Sequence, residues 1–170
     1  AAQSSMGGGW AHAGRTTAGM SAAGSGLTFG NGAIFNNNGT FLAQNDGSSG
    51  NRGGANNTFN NTGTFTRNTT AGVFTINNPI VFNNSGTVNV QTGTLAMNGT
   101  DGGSTTGDFN ISSGALLLFG SNFTLTACAV IAVAGHVDFS SGTICLTGTY
   151  HLCGQHNLTG GVDIFHYPTP

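Results

Sequence analysis

Charge is the first thing that this sequence lacks. Its 170 residues include no lysine and no glutamate, so charged residues make up 5% of the chain, against roughly 25% in an ordinary soluble domain. Recognition of phosphate groups needs clustered Lys and Arg side chains, whereas the net charge here is −2. The composition therefore argues against nucleic acid as a partner.

Long apolar runs are also missing. The longest, residues 127–134, has the length of a strand and falls well short of the roughly 18 consecutive apolar residues of a membrane-spanning helix. We therefore predict no membrane span. The chain begins Ala-Ala-Gln, without a basic segment followed by an apolar one, which fits either an exported protein after removal of its signal or an excised fragment.

Proline is confined to Pro79, Pro168 and Pro170, so almost every backbone N–H can join a hydrogen-bonded ladder. No stretch shows the periodicity of an amphipathic helix. The 12 phenylalanines and the regularly spaced apolar residues distinguish the chain from disordered sequences, which are poor in aromatics and usually rich in charge. These features together favour an ordered, all-β chain.

Cysteine is rare, and Cys128, Cys145 and Cys153 all lie in the last third of the chain. An odd number leaves at least one cysteine outside any internal bridge. Two interpretations stay open: the cysteines are small buried hydrophobic residues, or two of them form a disulfide within the chain or between chains. Their spacing matches no zinc-binding pattern.

What the sequence does contain is an internal repeat. One phrase occurs three times, as IFNNNGTF at 34–41, TFNNTGTF at 58–65 and VFNNSGTV at 81–88. The copies lie 23 to 24 residues apart, within the roughly 20 to 30 residues typical of one solenoid coil. Looser copies follow, and their spacing indicates a coil that lengthens toward the C-terminus. They lie at 108–119, 137–146 and 157–165.

Each copy consists of short strands joined by tight turns. The residues after the glycine alternate between polar and apolar, as in Thr87-Val88-Asn89-Val90, which is typical of a strand with one buried face. Asn-Gly, Asn-Asn, Ser-Gly and Thr-Gly pairs between these stretches favour turns. We predict a single-domain β-solenoid, a parallel β-helix with about 20–30 residues per coil. An antiparallel β-sandwich, which also has many short strands, is the alternative.

The repeat also predicts which side chains stack. Recurring residue types at coil spacing place phenylalanines inside as a repeat core, and asparagines above one another at a turn, where amides pair without charge. The predicted core residues are Phe35, Phe59, Phe82, Phe109 and Phe139. The predicted turn ladder consists of Asn36, Asn60 and Asn83.

Two parts of the chain differ from the repeat. Residues 1–26, rich in Gly, Ala and Ser, form a predicted N-terminal arm or cap, or else a flexible leader, and residues 27–170 form the predicted solenoid domain. An arm or cap would cover the exposed strand edges at the end of a solenoid. Residues 44–57, with Asp46, Arg52 and four glycines, are expected to project as a loop.

The strings FNNTGTF, VFNNSGTVNVQTGTLAMNG and TTGDFNISSGALLLFG resemble the repeat of large secreted bacterial β-helix proteins of the adhesin or autotransporter-passenger type. The resemblance covers roughly residues 29–165. It implies export, a right-handed parallel β-helix, and display at the cell surface or assembly outside the cell. The chain departs from that family in its short length, its three cysteines and its Gly/Ala-rich start.

Catalytic candidates are few. His136 and Asp138 alternate along one predicted strand and would share a face, but a polar outer face explains such a pair far more often than catalysis does. An enzyme on a β-helix would be expected to use carboxylates, and this chain offers only five aspartates. We therefore predict no catalytic residues and expect the chain not to be an enzyme.

The sequence gives no better support for a metal site than for a catalytic one. The histidines and cysteines of the last 30 residues lack the spacing of a metal site, and the two aspartates in Gly-rich segments lack the further carboxylates of a calcium loop. We predict no metal site and no cofactor. The residues weighed here are His151, His156, His166, Cys145, Cys153, Asp46 and Asp101.

These observations predict a secreted, extracellular or cell-surface structural protein. We expect it to assemble with itself, through its solenoid ends or its N-terminal arm, into a filament or a surface layer, because uncovered strand edges accept further strands. A surface adhesin, or a module that binds carbohydrate or ice through a Thr/Asn/Ser face, is the alternative. A polysaccharide-active enzyme is disfavoured by the shortage of carboxylates.

Overall fold

The computed structural model describes residues 5–6, 9–12, 15–18, 27–51, 53, 57–77, 79–99, 103–126, 128–147, 149–152 and 154–165. Side chains are described within those ranges from residue 27 to residue 161, apart from 149–152. The regular structure in this part of the chain is β-structure, in 23 strands, and none of it is a helix long and apolar enough to cross a membrane.

The strands form three parallel sheets, and successive strands along the chain enter sheet 1, sheet 2 and sheet 3 in turn. Sheet 1 contains β1 (Ser5–Met6), β4 (Thr28–Phe29), β7 (Gly47–Asn51), β10 (Val73–Ile76), β13 (Thr94–Met97), β16 (Leu116–Phe119), β19 (His136–Phe139) and β22 (Gln155–Leu158). Sheet 2 contains β2 (Gly9–His12), β5 (Ile34–Asn37), β8 (Asn57–Asn61), β11 (Ile80–Asn84), β14 (Gly103–Thr105), β17 (Phe123–Leu125), β20 (Thr143–Leu146) and β23 (Val162–Phe165). Sheet 3 contains β3 (Arg15–Ala18), β6 (Thr40–Ala43), β9 (Thr64–Arg67), β12 (Thr87–Val90), β15 (Asp108–Ile111), β18 (Val130–Val133) and β21 (Thr149–Leu152).

This topology confirms the predicted β-solenoid. Each strand inside a sheet pairs in parallel with the strand one coil before it and the strand one coil after it, and every pairing between the described strands is parallel. A sandwich built from hairpins needs antiparallel pairs, so that alternative is excluded for these strands. The register aligns the repeat with itself: Phe35 pairs with Phe59, and Phe59 with Phe82.

The coil shortens toward the C-terminus, so the predicted lengthening is wrong. In sheet 3, Phe65 follows its neighbour Phe41 by 24 residues, whereas in sheet 1 His156 follows Val137 by 19. The prediction fails because it aligns Phe109 and Phe139 with Phe35. Both are core residues, but Phe109 lies in β15 of sheet 3 and Phe139 in β19 of sheet 1, so neither continues the column of Phe35 in sheet 2.

The three sheets enclose a hydrophobic core that follows the solenoid axis. Burial alternates along many of the strands, as in β12, where Val88 and Val90 are buried and their neighbours are not. Phenylalanine rings stack from coil to coil: the ring centroid of Phe59 lies 4.9 Å from that of Phe35 and 5.3 Å from that of Phe82. Such aromatic pairs contribute about 0.5–1.5 kcal/mol each beyond the area that they bury.

The two segments outside the clear repeat also contribute strands. Within residues 1–26, the strands β1, β2 and β3 pair in register with β4, β5 and β6, and the residues between them lie outside the described part of the chain. The loop expected at 44–57 is only partly a loop. Gly47–Asn51 forms β7 of sheet 1, because its backbone completes the ladder between β4 and β10 even without large side chains.

The corner between sheets 2 and 3 explains the glycine of the repeat. The glycines of successive corners lie directly above one another, and a Cβ atom on Gly63 would overlap the carbonyl oxygen of Gly39. A Cβ atom on Gly86 would overlap the carbonyl of Gly63 in the same way. The motif Asn-x-Gly-Thr therefore records a close backbone approach that only glycine permits.

Candidate functional site

The outer asparagine ladder consists of Asn36, Asn60 and Asn83, in β5, β8 and β11 of sheet 2. Asn60 Nδ2 donates to Asn36 Oδ1 at 2.8 Å, and Asn83 Nδ2 donates to Asn60 Oδ1 at 3.0 Å. The three residues stack in register as expected, but they lie within strands and not at a turn. Their half-buried side chains point outward, because each follows an inward phenylalanine.

A second ladder lies inside the solenoid, and the sequence analysis missed it. The inner asparagine ladder consists of Asn37, Asn61, Asn84 and Thr105, which are all fully buried. Asn37 Nδ2 donates to Asn61 Oδ1 at 2.6 Å, Asn61 Nδ2 to Asn84 Oδ1 at 2.7 Å, and Asn84 Nδ2 to Thr105 Oγ1 at 3.0 Å. The signal in the sequence is the second Asn of each Phe-Asn-Asn, which alternation places on the same side as the phenylalanine.

The inner ladder also fixes the corner between sheets 2 and 3. Asn37 Nδ2 donates to the carbonyl oxygen of Thr64 at 3.0 Å, and Asn61 Nδ2 donates to that of Thr87 at 3.2 Å. Each amide therefore joins its own coil to the first residue of the sheet 3 strand in the following coil. Buried amides are stable only when they are hydrogen-bonded, so this ladder selects the corner geometry as well as the register.

An open groove follows the outer asparagine ladder along the solenoid axis. One wall is the ladder together with Ser104, and the other is the row of exposed corner residues. The described side chains that line it are all neutral amides and hydroxyls. The lining residues are Asn36, Asn60, Asn61, Thr62, Asn83, Asn84, Ser85, Ser104 and Thr106. We call this feature the amide groove.

A buried arginine joins two corners between sheets 3 and 1. Arg67, the last residue of β9, occupies the inward position of the column Ala43–Arg67–Val90, and its side chain is fully buried. Its Nη2 donates to Asp46 Oδ1 at 2.6 Å and to Thr70 Oγ1 at 2.8 Å. Nη1 and Nη2 also lie within hydrogen-bond distance of the backbone carbonyls of Ala43, Asn45, Asn68, Thr70 and Gly72.

Asp46 is therefore the counter-ion of Arg67, although half of its side chain is exposed. The Thr70 hydroxyl, which donates to Asp46 Oδ1 at 2.6 Å, and the Arg67 guanidinium hold the pKa of the Asp46 carboxyl below its ordinary value of 3.8, against the opposing effect of burial. This arrangement accounts for Asp46 without a metal ion. Asp101, the other residue weighed for calcium, lies outside the described residues.

The catalytic candidates His136 and Asp138 lie in β19 and share the outer face of sheet 1, both half-buried. Asp138 Oδ1 accepts a hydrogen bond from the Thr159 hydroxyl at 2.9 Å. His136 lines a separate open groove, between Leu116 and Gln155 of the neighbouring strands. No group of three or more His, Cys, Asp or Glu side chains comes together among the described residues.

Cys128 and Cys145 are free thiols in the structure, so these two form no disulfide with each other. Cys128 is exposed and Cys145 is half-buried on the outer face of sheet 2, which overturns their interpretation as buried hydrophobic residues. Of the other weighed residues, Cys153 and His166 lie outside the described residues, and the side chain of His151 is not described. The ring of His156 packs against Phe139, with centroids 4.9 Å apart.

The core is open to solvent at β22. An inward column of sheet 1 runs through Ile76, Met97, Phe119, Phe139 and Leu158, in register from coil to coil. The first four side chains are at most 2% exposed, whereas Leu158 is 56% exposed. Leu158 is the last described residue of this column and, unlike the other four, is largely exposed.

The described part of the chain thus presents two features that a partner can reach, the amide groove and the exposed end of the core at β22. Both arise from the stacking of coils, and neither contains a cluster of ionisable groups. No protein-family model, no curated protein and no solved structure matches this chain.

Proposed function

We propose that this protein is a structural β-solenoid that associates with further copies of itself through the ends of its coil stack and builds a filament or a surface layer. The observation that carries the proposal is Leu158, which continues a buried core column and yet is 56% exposed. A further coil placed on β22 would complete the column in the way that β22 itself covers β19.

The ladders support the same conclusion, because they specify how one coil fits the next. Stacked phenylalanines and paired amides repeat at the same positions in successive coils, so a strand of similar sequence finds complementary groups at the correct register. Backbone N–H and C=O groups of an outermost parallel strand supply the remaining hydrogen bonds.

The energy available at the exposed end is moderate. Burying a leucine side chain completely contributes about 1.5–3 kcal/mol, and Leu158 is already partly covered, so its burial adds about 1–2 kcal/mol. The hydrogen bonds of an added coil contribute about 0.5–1.5 kcal/mol each. Association therefore depends on several strands docking together.

The resemblance of the repeat to secreted bacterial β-helix proteins supports a location outside the cell or at its surface. This part of the proposal has a direct test. The protein should be recovered from the culture medium of its source, or be cleaved by protease added to intact cells. Protection from protease until the cells are lysed would contradict it.

Self-association is tested with the variant Leu158→Asp, which places a charge at the exposed end of the core. Gln155→Glu is the matched control, because Gln155 lies in β22 on the outer face of sheet 1, beside His136. Both variants add one negative charge to the same exposed strand. We expect Leu158→Asp to abolish assembly and Gln155→Glu to leave it intact.

The measurement is light scattering after gel filtration over a wide concentration series, with negative-stain electron microscopy of the same samples. The proposal predicts that mean mass rises with concentration and that elongated particles form. A native chain that stays monomeric at the highest concentration would overturn it. Equal loss of assembly in both variants would show that general charge repulsion, rather than the end of the core, controls association.

A further inference from the structure

We propose that the amide groove binds a neutral linear polysaccharide, which lies along the solenoid axis. The groove extends over successive coils, from Asn36 to Ser104 on one wall and from Thr62 to Thr106 on the other. Its length and openness suit a chain molecule better than a small enclosed ligand. The proposal concerns the side of the solenoid and is independent of self-association at its ends.

The amides of the groove retain hydrogen-bonding capacity after the ladder has formed. Asn60 Nδ2 uses one of its two N–H groups to reach Asn36, and Asn60 Oδ1 uses one of its two lone pairs to accept from Asn83. Asn60 therefore keeps one N–H donor and one acceptor lone pair that the ladder does not use. Sugar hydroxyls both donate and accept, so they can pair with an amide in either sense.

Stacking repeats these amide groups at regular intervals along the groove. Asn36, Asn60 and Asn83 occupy equivalent positions in adjacent strands, which lie about 4.8 Å apart in a β-sheet. The exposed hydroxyls of Thr62 and Ser85 form the opposite wall with the same coil-to-coil repeat. A ligand with a regular row of hydroxyl groups can then meet several coils at once, so many weak contacts add up along the groove.

The neutral lining selects against charged polymers. The described side chains that line the groove include no Arg, Lys, Asp or Glu, whereas anionic polymers bind through clustered cations. An extended peptide usually binds by pairing with a free sheet edge. In the floor of the groove, β8 pairs along its length with β5 on one side and β11 on the other, and β11 pairs with β14 at Asn84, so β8 offers no free edge.

Binding is tested by affinity electrophoresis, in which a polysaccharide embedded in the gel retards a protein that binds it. The probes are neutral glucans, mannans and xylans, with alginate and heparin as acidic comparisons. The protein used is Leu158→Asp, so that retardation is not confused with assembly. If that variant still assembles, the native chain is used below its assembly concentration.

The groove variant is Asn60→Ala combined with Asn83→Ala, which removes two of the three amides of the outer ladder. The matched control is Asn89→Ala combined with Asn110→Ala. Asn110 Nδ2 donates to Asn89 Oδ1 at 3.0 Å, so this pair forms the same kind of ladder on sheet 3, outside the groove. Ser85→Trp, at the exposed rim, obstructs the groove without replacing a core residue.

We expect at least one neutral polysaccharide to retard the protein, and added salt to leave this retardation unchanged because no charge takes part. The groove variant should bind about tenfold more weakly, and the control pair should bind normally. Ser85→Trp should reproduce the loss if the groove variant fails to fold. No retardation by any neutral polysaccharide, retardation only by the acidic ones, or equal loss in both ladder variants would overturn the proposal.

Discussion

The buried guanidinium of Arg67 gives the sharpest prediction for stability. It lies in the core at the corner between sheets 3 and 1, where residues 68–72 form a longer connection than residues 91–93 do one coil later. The side chain fills this wider corner and binds the carbonyls that turn inward there. Its removal therefore takes away packing and hydrogen bonds at the same time.

The magnitude for Arg67→Ala follows from these two losses. Truncating a large buried side chain costs about 3–5 kcal/mol. Loss of the ion pair adds little to this cost, because Asp46 is half exposed and water solvates its charge when Arg67 is removed. Some partners keep another bond: Gly72 O still accepts from Thr94 N, and Ala43 O from Asn68 N. We therefore expect about 3–4 kcal/mol, which lowers the melting temperature of a chain of this size by about 6–16 °C.

Arg67→Met separates packing from hydrogen bonding, because methionine fills much of the same volume and donates nothing. Arg67→Met should remain about 1–2 kcal/mol less stable than the native chain, since each lost hydrogen bond to a charged group is worth about 1.5–3 kcal/mol and the relief of the buried charge offsets part of that. Val90→Ala, one coil later in the same inward column, is the control for core truncation.

The assay is urea unfolding followed by circular dichroism, with hydrogen exchange to locate the change. Stability in repeat proteins is distributed over neighbouring coils, so the Arg67 variants should lose exchange protection first at 43–46 and 68–72. If Arg67→Met matches the native chain in stability and protection, the hydrogen bonds of the guanidinium do not stabilise the corner, and the reasoning is refuted.

Three further predictions follow from the ladders and the ion pair. Asp46 has a lowered pKa, so the stability that its charge contributes is complete above the ordinary value of 3.8 and is lost as pH falls through the lowered value. The urea midpoint of Asp46→Asn should therefore lack this acid-dependent fall. Asn61→Ala interrupts the inner ladder and leaves two buried amides without a partner, so it should lower the free energy of unfolding in urea by about 2–4 kcal/mol. Asn60→Ala, in the half-exposed outer ladder, should lower it by about 1 kcal/mol or less. Gly86→Ala should lower the melting temperature by several degrees or prevent folding, because its Cβ would overlap a backbone carbonyl; an unchanged melting curve would contradict the close approach.

The architecture was predictable because the repeat is an alignment of the chain with itself. Identical phrases at 34–41, 58–65 and 81–88 become neighbouring strands only if the coils stack in parallel and in register. The period therefore carries tertiary information that composition alone does not. The looser copies carry less of it, because Phe109, Phe139 and Phe35 fill equivalent core positions in three different sheets.

The inner asparagine ladder and the buried Arg67, which the sequence analysis missed, both follow from the same alignment of the repeats. Phe35 is inward, so alternation makes Asn36 outward and Asn37 inward, yet interpreting Asn-Asn-Asn-Gly as a turn hides the last inward position. Arg67 aligns with Val90 and is therefore inward as well. What the alignment does not contain is the reason that a buried arginine is stable there, which depends on the carbonyls of two corners far apart in sequence.

The scarcity of charge has a physical explanation in the stacking itself. Two like charges one strand apart, about 4.8 Å, repel by about 1 kcal/mol in water and by about 3–4 kcal/mol at the lower effective dielectric of a protein surface. A column of such residues would repeat that penalty at every coil, whereas amides and hydroxyls in a column bind one another. Among the described side chains, Arg67 lies between Ala43 and Val90 in its column, Asp108 lies beside Thr87, and Asp138 lies between Leu118 and Asn157. None of these neighbours is charged. A chain built by stacking similar coils, and by our proposal further copies of itself, therefore obtains its polarity from Asn, Thr and Ser.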